Sequence, residues 1–340
     1  MKNIVIYDEF NEIDLKPTKL LSHYVKLVED DILHLVVDRG NLKDTLCPAC
    51  GKDNGRKAFL KFGLWYRECP KCQTLFISPR PSDDVLNSFY KEAKSRMFFR
   101  DQMSKVSDKK RKEKIIKPRF LWVMDSTQEY LPRAEHWIDI NTGWAGYVDE
   151  MVISKSFKRQ TLLNPHLNKK DWPLDPNVRI IDQPWWEGLL NDKADIITIF
   201  EVADHTSDMV ALFTKIDEIL KPGGLCFMTA ILSSGFDIQV LWDKADNLFP
   251  PDRLNVFSVE GLKILFDRFS FDCLEFSTPG ILDVDIVARK IKENPSIDIP
   301  RFERGIIESK DENFKMQFQR FLQANLLSSY GRILLKKRNK

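Results

Sequence analysis

The chain has 340 residues, 43% of them hydrophobic and 30% charged, which excludes a disordered or fibrous protein and leaves room for two or three globular domains. Lysine plus arginine (52) nearly cancels aspartate plus glutamate (50), so the net charge of +2 supplies no general attraction to nucleic acid. Asp8 and Glu9 interrupt the first apolar run and no stretch approaches the roughly 20 apolar residues that span a bilayer, which predicts a cytoplasmic protein whose 6 cysteines are metal ligands or core thiols, not disulfides.

Residues 1–40 alternate short apolar runs, Ile4–Tyr7 and Ile32–Val37, with charge, and read as an N-terminal arm. Residues 41–80 carry Cys47-Pro-Ala-Cys50-Gly51 and Cys69-Pro-Lys-Cys72, two pairs separated by 18 residues. Each pair turns two thiolates toward one point, and four thiolates meet the tetrahedral preference of zinc. A sphere filled in this way leaves no position for a catalytic water, so the spacing predicts a structural zinc ribbon. Leu64–Arg67 and Thr74–Ile77 flank the second pair as strands. A ribbon that grips nucleic acid is the weaker alternative. Cys226 and Cys273 lie in apolar runs and are predicted to be buried core thiols.

Residues 81–134 are highly charged and predicted helical, a linker or lid. Lys105, Lys109, Lys110, Arg111, Lys112, Lys114, Lys117 and Arg119 face only Asp108 and Glu113, which reads as a solvated helix face before a phosphate-binding patch. From His136 the pattern changes. His136–Ile140, Asp195–Phe200 and Leu225–Ala230 are apolar runs suited to strands buried on both faces of a parallel sheet. Between the last two, Val210, Leu212, Phe213, Ile216 and Ile219 recur at helical spacing, and Pro222-Gly223-Gly224 stops that helix. Strands alternating with helices predict an α/β doubly wound domain over residues 135–292. Trp185-Trp186 reads as a half-buried aromatic pair before a stacking platform. In residues 293–340, Phe314, Phe318, Phe321, Leu322 and Leu326 form the apolar stripe of a helix packed on the domain, followed by a final strand.

His136-Trp-Ile-Asp-Ile-Asn-Thr-Gly-Trp-Ala-Gly-Tyr147 resembles the first strand and glycine loop of class I S-adenosylmethionine-dependent methyltransferases, with Asn141 and Ala145 where that family usually has glycine. Ala194–His205, a helix, then Leu220-Lys-Pro-Gly-Gly224 and a strand are similar to its fourth and fifth strands. Phe257–Leu262, an amphipathic helix and Phe271–Phe276 resemble the next helix and strand. The Cys-Pro-x-Cys run with Pro79-Arg-Pro-Ser82 and Phe89-Tyr90 resembles the zinc-ribbon preamble of bacterial members linked to sugar or cell-surface polysaccharide modification. The resemblance covers most of the chain from about residue 45.

The resemblance implies a Rossmann-like domain with S-adenosylmethionine as cofactor. It implies that Asp139 stands beside the cofactor loop formed by Asn141, Gly143 and Gly146. Asn164 falls where an acidic residue usually holds the ribose hydroxyls, and Asp182 where the adenine amine is read. Glu201 to His205 would line the pocket at the carboxyl end of the fourth strand. His205, with an intrinsic pKa near neutrality, is the candidate base and Asp204 the reserve. The competing role for His205 is to cap the next helix. Ser233–Asn255 would cover the acceptor. The expected activity is methyl transfer to a small polar acceptor, a sugar or nucleotide-sugar. One alternative is a pseudoenzyme scaffold, since two loop glycines and the ribose carboxylate are replaced. A nucleic-acid or protein methyltransferase is the other, resting on the ribbon and the basic stretch and opposed by the lack of an Asn-Pro-Pro-Tyr-type motif.

Overall fold

The apolar runs pair as strands in a computed structural model that describes residues 2, 18–37, 42–52, 55–140, 145–154, 156–163, 173, 175–187, 192–309 and 311–339. In chain order the strands are β1 (Leu42–Lys43), β2 (Arg56–Lys61), β3 (Leu64–Glu68), β4 (Leu75–Ile77), β5 (Arg80–Pro81), β6 (His136–Ile140), β7 (Arg159–Leu163), β8 (Val178–Ile181), β9 (Ala194–Phe200), β10 (Leu220–Ile231), β11 (Asn255–Val256), β12 (Phe271–Ser277) and β13 (Tyr330–Lys337). The central sheet has seven strands in the order β8-β7-β6-β9-β10-β13-β12. β8, β7, β6, β9 and β10 run parallel, and β13 is antiparallel to both of its neighbours. The order reverses between β6 and β9, which opens a crevice at their carboxyl ends.

Helices cover both faces of this sheet, so its central strands have no solvated side. Every residue of β6 is buried. The helix Met209–Ile219 is capped by Asp208, whose side chain accepts from the Ala211 amide at 2.9 Å. It ends at Ile219, before the Lys-Pro-Gly-Gly segment. That segment instead bulges: pairing with β9 jumps from Leu220 opposite Ala194 to Leu225 opposite Ile196, with Gly223 at φ +72°. Glycine takes that left-handed conformation without steric cost. Cys226 is fully buried, whereas Cys273 is only partly so.

A second core lies under the ribbon. Thr18–Ile32, within the segment read as an arm, is a helix whose Leu21, Tyr24, Val28 and Ile32 fall on one face. They pack with Phe59, Leu64 and Tyr66 of the ribbon and with Val85, Leu86 and Phe89 of the helix Asp83–Glu92. The basic stretch divides in two. Lys105, Lys109 and Lys110 are exposed, but Arg111 and Arg119 are buried, with their guanidiniums over Phe99 (5.6 Å) and Phe200 (5.1 Å). The C-terminal region holds two helices, Arg301–Ser309 and Glu312–Ala324, before β13. Its expected stripe is half realised: Leu322 is buried, while Phe321 stays 53% exposed. Among the described residues no helix is long and apolar enough to cross a membrane.

The ribbon is joined to the larger domain through shared elements. β2, β3 and β4 form a sheet completed by β11, in which Asn255 pairs with Phe76 and Val256 with Leu75. The helix Val259–Arg268 then rests on the cysteine turns. Its cap Ser258 receives the Gly261 amide at 2.8 Å and donates its hydroxyl to the Cys72 carbonyl. Gly261 is required there, because a β-carbon would lie 2.2 Å from the Thr74 hydroxyl. Arg268, at the other end of the helix, donates to the Ala49 carbonyl.

Candidate functional site

The four ribbon cysteines meet in one buried cluster. Cys47 and Cys72 bring their sulfurs to 3.5 Å, Cys50 and Cys69 to 3.6 Å, and all four lie within 4.8 Å of one another. Tetrahedral zinc at about 2.3 Å from each sulfur sets its ligands about 3.8 Å apart, so the donor set and spacing fit that metal. The two turns are built alike. Gly51 and Gln73, each following a second cysteine, have φ of +70° and +59°, and their amides donate to the Cys47 and Cys69 carbonyls at 2.8 Å. Gly51 is legible in the sequence as a turn residue; Gln73 carries no such signal.

At the carboxyl end of β9 the chain turns at Glu201, which sits at φ +61° with its amide donating to the Thr229 carbonyl and hydroxyl at 3.1 and 3.0 Å. A non-glycine residue holds that conformation only where its surroundings fix it. Val202–His205 follows as a single helical turn. The Glu201 carboxylate bridges two guanidiniums, Arg119 at 3.1 Å and Arg253 at 3.3 Å. Burial opposes its ionisation, but the two arginines outweigh that and hold its pKa down at about 2. Arg253 also donates to Asp204 at 2.8 Å, and the same Asp204 oxygen accepts the Ile231 amide at 3.1 Å. Complete burial nevertheless raises the Asp204 carboxyl to about 7. His205 places Nε2 3.4 Å from the Arg253 guanidinium, and burial followed by that charge lowers its pKa to about 4. Its Nδ1 and the second oxygen of Asp204 have no hydrogen-bond partner among the described residues.

Residues 118–275, which contain this sheet end and the arginines, match the family model described as a methyltransferase domain. Over these residues the chain is similar to methyltransferase domains. Among solved structures, the plantazolicin methyltransferase BpumL, determined with a triazolic desmethylPZN analogue and S-adenosylhomocysteine, is 12% identical, with 75% of this chain and 95% of that one covered at a TM-score of 0.46. A protein assigned as a sarcosine dimethylglycine methyltransferase from Galdieria sulphuraria is 17% identical, with coverages of 71% and 90% and a TM-score of 0.42. Coclaurine N-methyltransferase, bound to N-methylheliamine and S-adenosylhomocysteine, is 15% identical, with coverages of 64% and 72% and a TM-score of 0.39. No curated protein matches the chain.

Within the methyltransferase domain, Asp139 lies on β6 immediately before the loop read as the cofactor loop. It accepts the Thr198 hydroxyl from β9, and Thr198 in turn accepts the Trp137 indole at 2.9 Å. Burial lifts the Asp139 carboxyl to about 7. Gly146 is in the first turn of the helix Ala145–Ser154. Asn141, Gly143 and Asn164 lie outside the described residues. Asp182 follows β8, beside a cavity of about 590 Å³ lined also by Arg179, Ile181, Gln183 and Glu187. β8 and β9 are three strand positions apart, about 14 Å at the usual spacing, so Asp182 follows the edge strand of the sheet and Glu201 a central one.

Asp204, read as a reserve base, is fully enclosed and bonded to Arg253. One sequence expectation changes here. His205 does not cap the next helix, because Asp208 does. Of the two residues that organise this end of β9, Arg119 is read in the sequence only as part of a solvated basic face, and Arg253 carries no signal of its own. Phe120, Trp122 and Val123 beside Arg119 were the available sign that its helix is not wholly solvated.

Proposed function

We propose that the protein transfers a methyl group from S-adenosylmethionine to a small polar acceptor, a sugar or nucleotide-sugar, and that Cys47, Cys50, Cys69 and Cys72 hold a structural zinc. The observation that carries the reading is Glu201, an ionised and partly exposed carboxylate fixed at the crevice where strand order reverses. When bound, the cofactor supplies a methyl already activated on a sulfonium, which leaves the protein to orient, exclude water and take up a proton. Glu201 would present negative charge to the methionine ammonium. Asn164 would hold the ribose hydroxyls and Asp182 the adenine amine. Asp139, pinned across the sheet to Thr198, fixes the strand from which Asn141, Gly143 and Gly146 depart. Arg253 draws Ser233–Asn255 down over the crevice, which favours a small acceptor. His205 is uncharged at neutral pH and able to accept a hydrogen bond from an acceptor hydroxyl. The Arg253 charge disfavours its imidazolium, so the proton passes onward to solvent.

Both Glu201 oxygens already face arginines, which also suits a scaffold that has lost its cofactor. Methyl-labelled S-adenosylmethionine offered with a panel of sugars and nucleotide-sugars separates the two. We expect label in the small-molecule fraction, and His205→Ala should lower turnover by roughly 10²-fold with cofactor binding unchanged. Label in protein or RNA alone would move the acceptor to a macromolecule, and no transfer with any acceptor would favour the scaffold.

A further inference from the structure

The one-turn helix Val202–His205 carries Glu201 at its start, and so short a helix cannot satisfy its own carbonyls. The Thr206 hydroxyl donates to Val202 at 2.8 Å, and the Asn255 amide donates to Ala203 at 2.8 Å and to Thr206 at 2.7 Å. Asn255 has no exposed surface, and its side-chain oxygen accepts from Arg80 at 3.1 Å. Arg80 belongs to the ribbon and is itself buried. It donates a second bond to the Ser207 carbonyl at 2.8 Å and a third back to Ile77 of β4 at 3.3 Å. A guanidinium only donates and a carbonyl only accepts, so this chain of contacts has one orientation. The ribbon supplies a second tie two residues away, where the Tyr66 hydroxyl donates to the Arg253 carbonyl at 2.9 Å.

We propose that Arg80 is a positioning residue for the cofactor pocket: through Asn255 and the Ser207 carbonyl it locks the turn that presents Glu201, so that the ribbon sets the geometry of the methyltransferase site. The zinc reading then gives the ribbon a task beyond its own folding, since the metal's turns hold the sheet that aims Arg80. The inference rests on S-adenosylmethionine being the cofactor, and the experiment has one arm that does not.

Arg80→Met, Arg80→Lys and Asn255→Ala are compared with the wild-type full chain by zinc content, by hydrogen exchange and by calorimetric titration with S-adenosylhomocysteine. Zinc should remain at the wild-type level in all three variants. Amides of residues 202–207 should exchange tenfold faster or more in Arg80→Met and Asn255→Ala, with β2 and β3 still protected. S-adenosylhomocysteine affinity should fall by roughly tenfold, the size expected for leaving one buried acceptor unpaired. Arg80→Lys, which replaces one donor of the fork, should recover part of both losses. Unchanged exchange at 202–207 in these variants would overturn the role of Arg80, whether or not the cofactor binds. A wild type that binds no S-adenosylhomocysteine would overturn the cofactor reading instead, and the exchange arm would still decide on Arg80. If Arg80→Met does not fold, Arg80→Lys and Asn255→Ala carry the same comparison.

Discussion

Cys69→Ser should lose the metal and unfold the ribbon, the largest effect expected of any single substitution in this chain. Four buried sulfurs lie within 4.8 Å of one another, a donor set that a shared cation would hold together. Structural zinc contributes on the order of 10 kcal/mol to small ribbons in isolation. This ribbon also packs against the methyltransferase domain, so the loss should be smaller, about 3–5 kcal/mol, and should extend beyond the ribbon. The helix Val259–Arg268 rests on the cysteine turns through Ser258 and Arg268, and β11 completes the ribbon sheet. Elemental analysis and urea unfolding check both parts: zinc falls to zero and the midpoint drops. A metal-free variant as stable as the wild type would overturn the zinc assignment.

Arg253→Ala should destabilise the protein by about 3 kcal/mol at pH 8.5, because it removes the partner shared by Glu201 and the fully enclosed Asp204. The pH dependence gives a sharper signature. Asp204 is raised to about 7 in the folded protein with Arg253 beside it, and removing that cation raises it further. An unfolded aspartate ionises near pH 3.9, so a carboxyl raised by folding erodes stability as pH climbs from there to its folded pKa. In the wild type this erosion stops near pH 7. In Arg253→Ala it continues above pH 7, at up to about 1.4 kcal/mol per pH unit. At pH 6 Asp204 is largely protonated in both, and the deficit there reflects Glu201 and the lost hydrogen bonds. Urea unfolding at pH 6 and 8.5 makes the comparison, and a deficit that does not grow with pH would show that Asp204 is not the group left unpaired.

The sequence made the local parts of this molecule legible. Each Cys-x-x-Cys turn spans four residues, and the β9, helix and β10 segment is one continuous run closed by Lys-Pro-Gly-Gly. Contacts made across long separations were not legible. Arg119 and Arg253 reach Glu201 from 82 and 52 positions away. Arg119 ends a stretch whose composition is that of a solvated helix, and only the apolar Phe120, Trp122 and Val123 that follow it set it apart from Lys109. β11 is two residues long, too short to show a strand period, yet it joins the ribbon sheet to the segment bearing Arg253. In the first 40 residues, the helical spacing of Leu21, Tyr24, Val28 and Ile32 was present but lay among charges that masked it. Asn164 and the cofactor loop were legible only by resemblance, so their roles rest on binding experiments.

Calorimetric titration of the zinc-loaded protein with S-adenosylhomocysteine tests the central claim most directly. One site per chain is expected, with an affinity in the micromolar range. Asn164→Asp should bind at least fivefold more tightly, because it restores a charge-assisted bond worth about 1–3 kcal/mol. No binding by either protein, with zinc present and the methyltransferase domain folded, would contradict it.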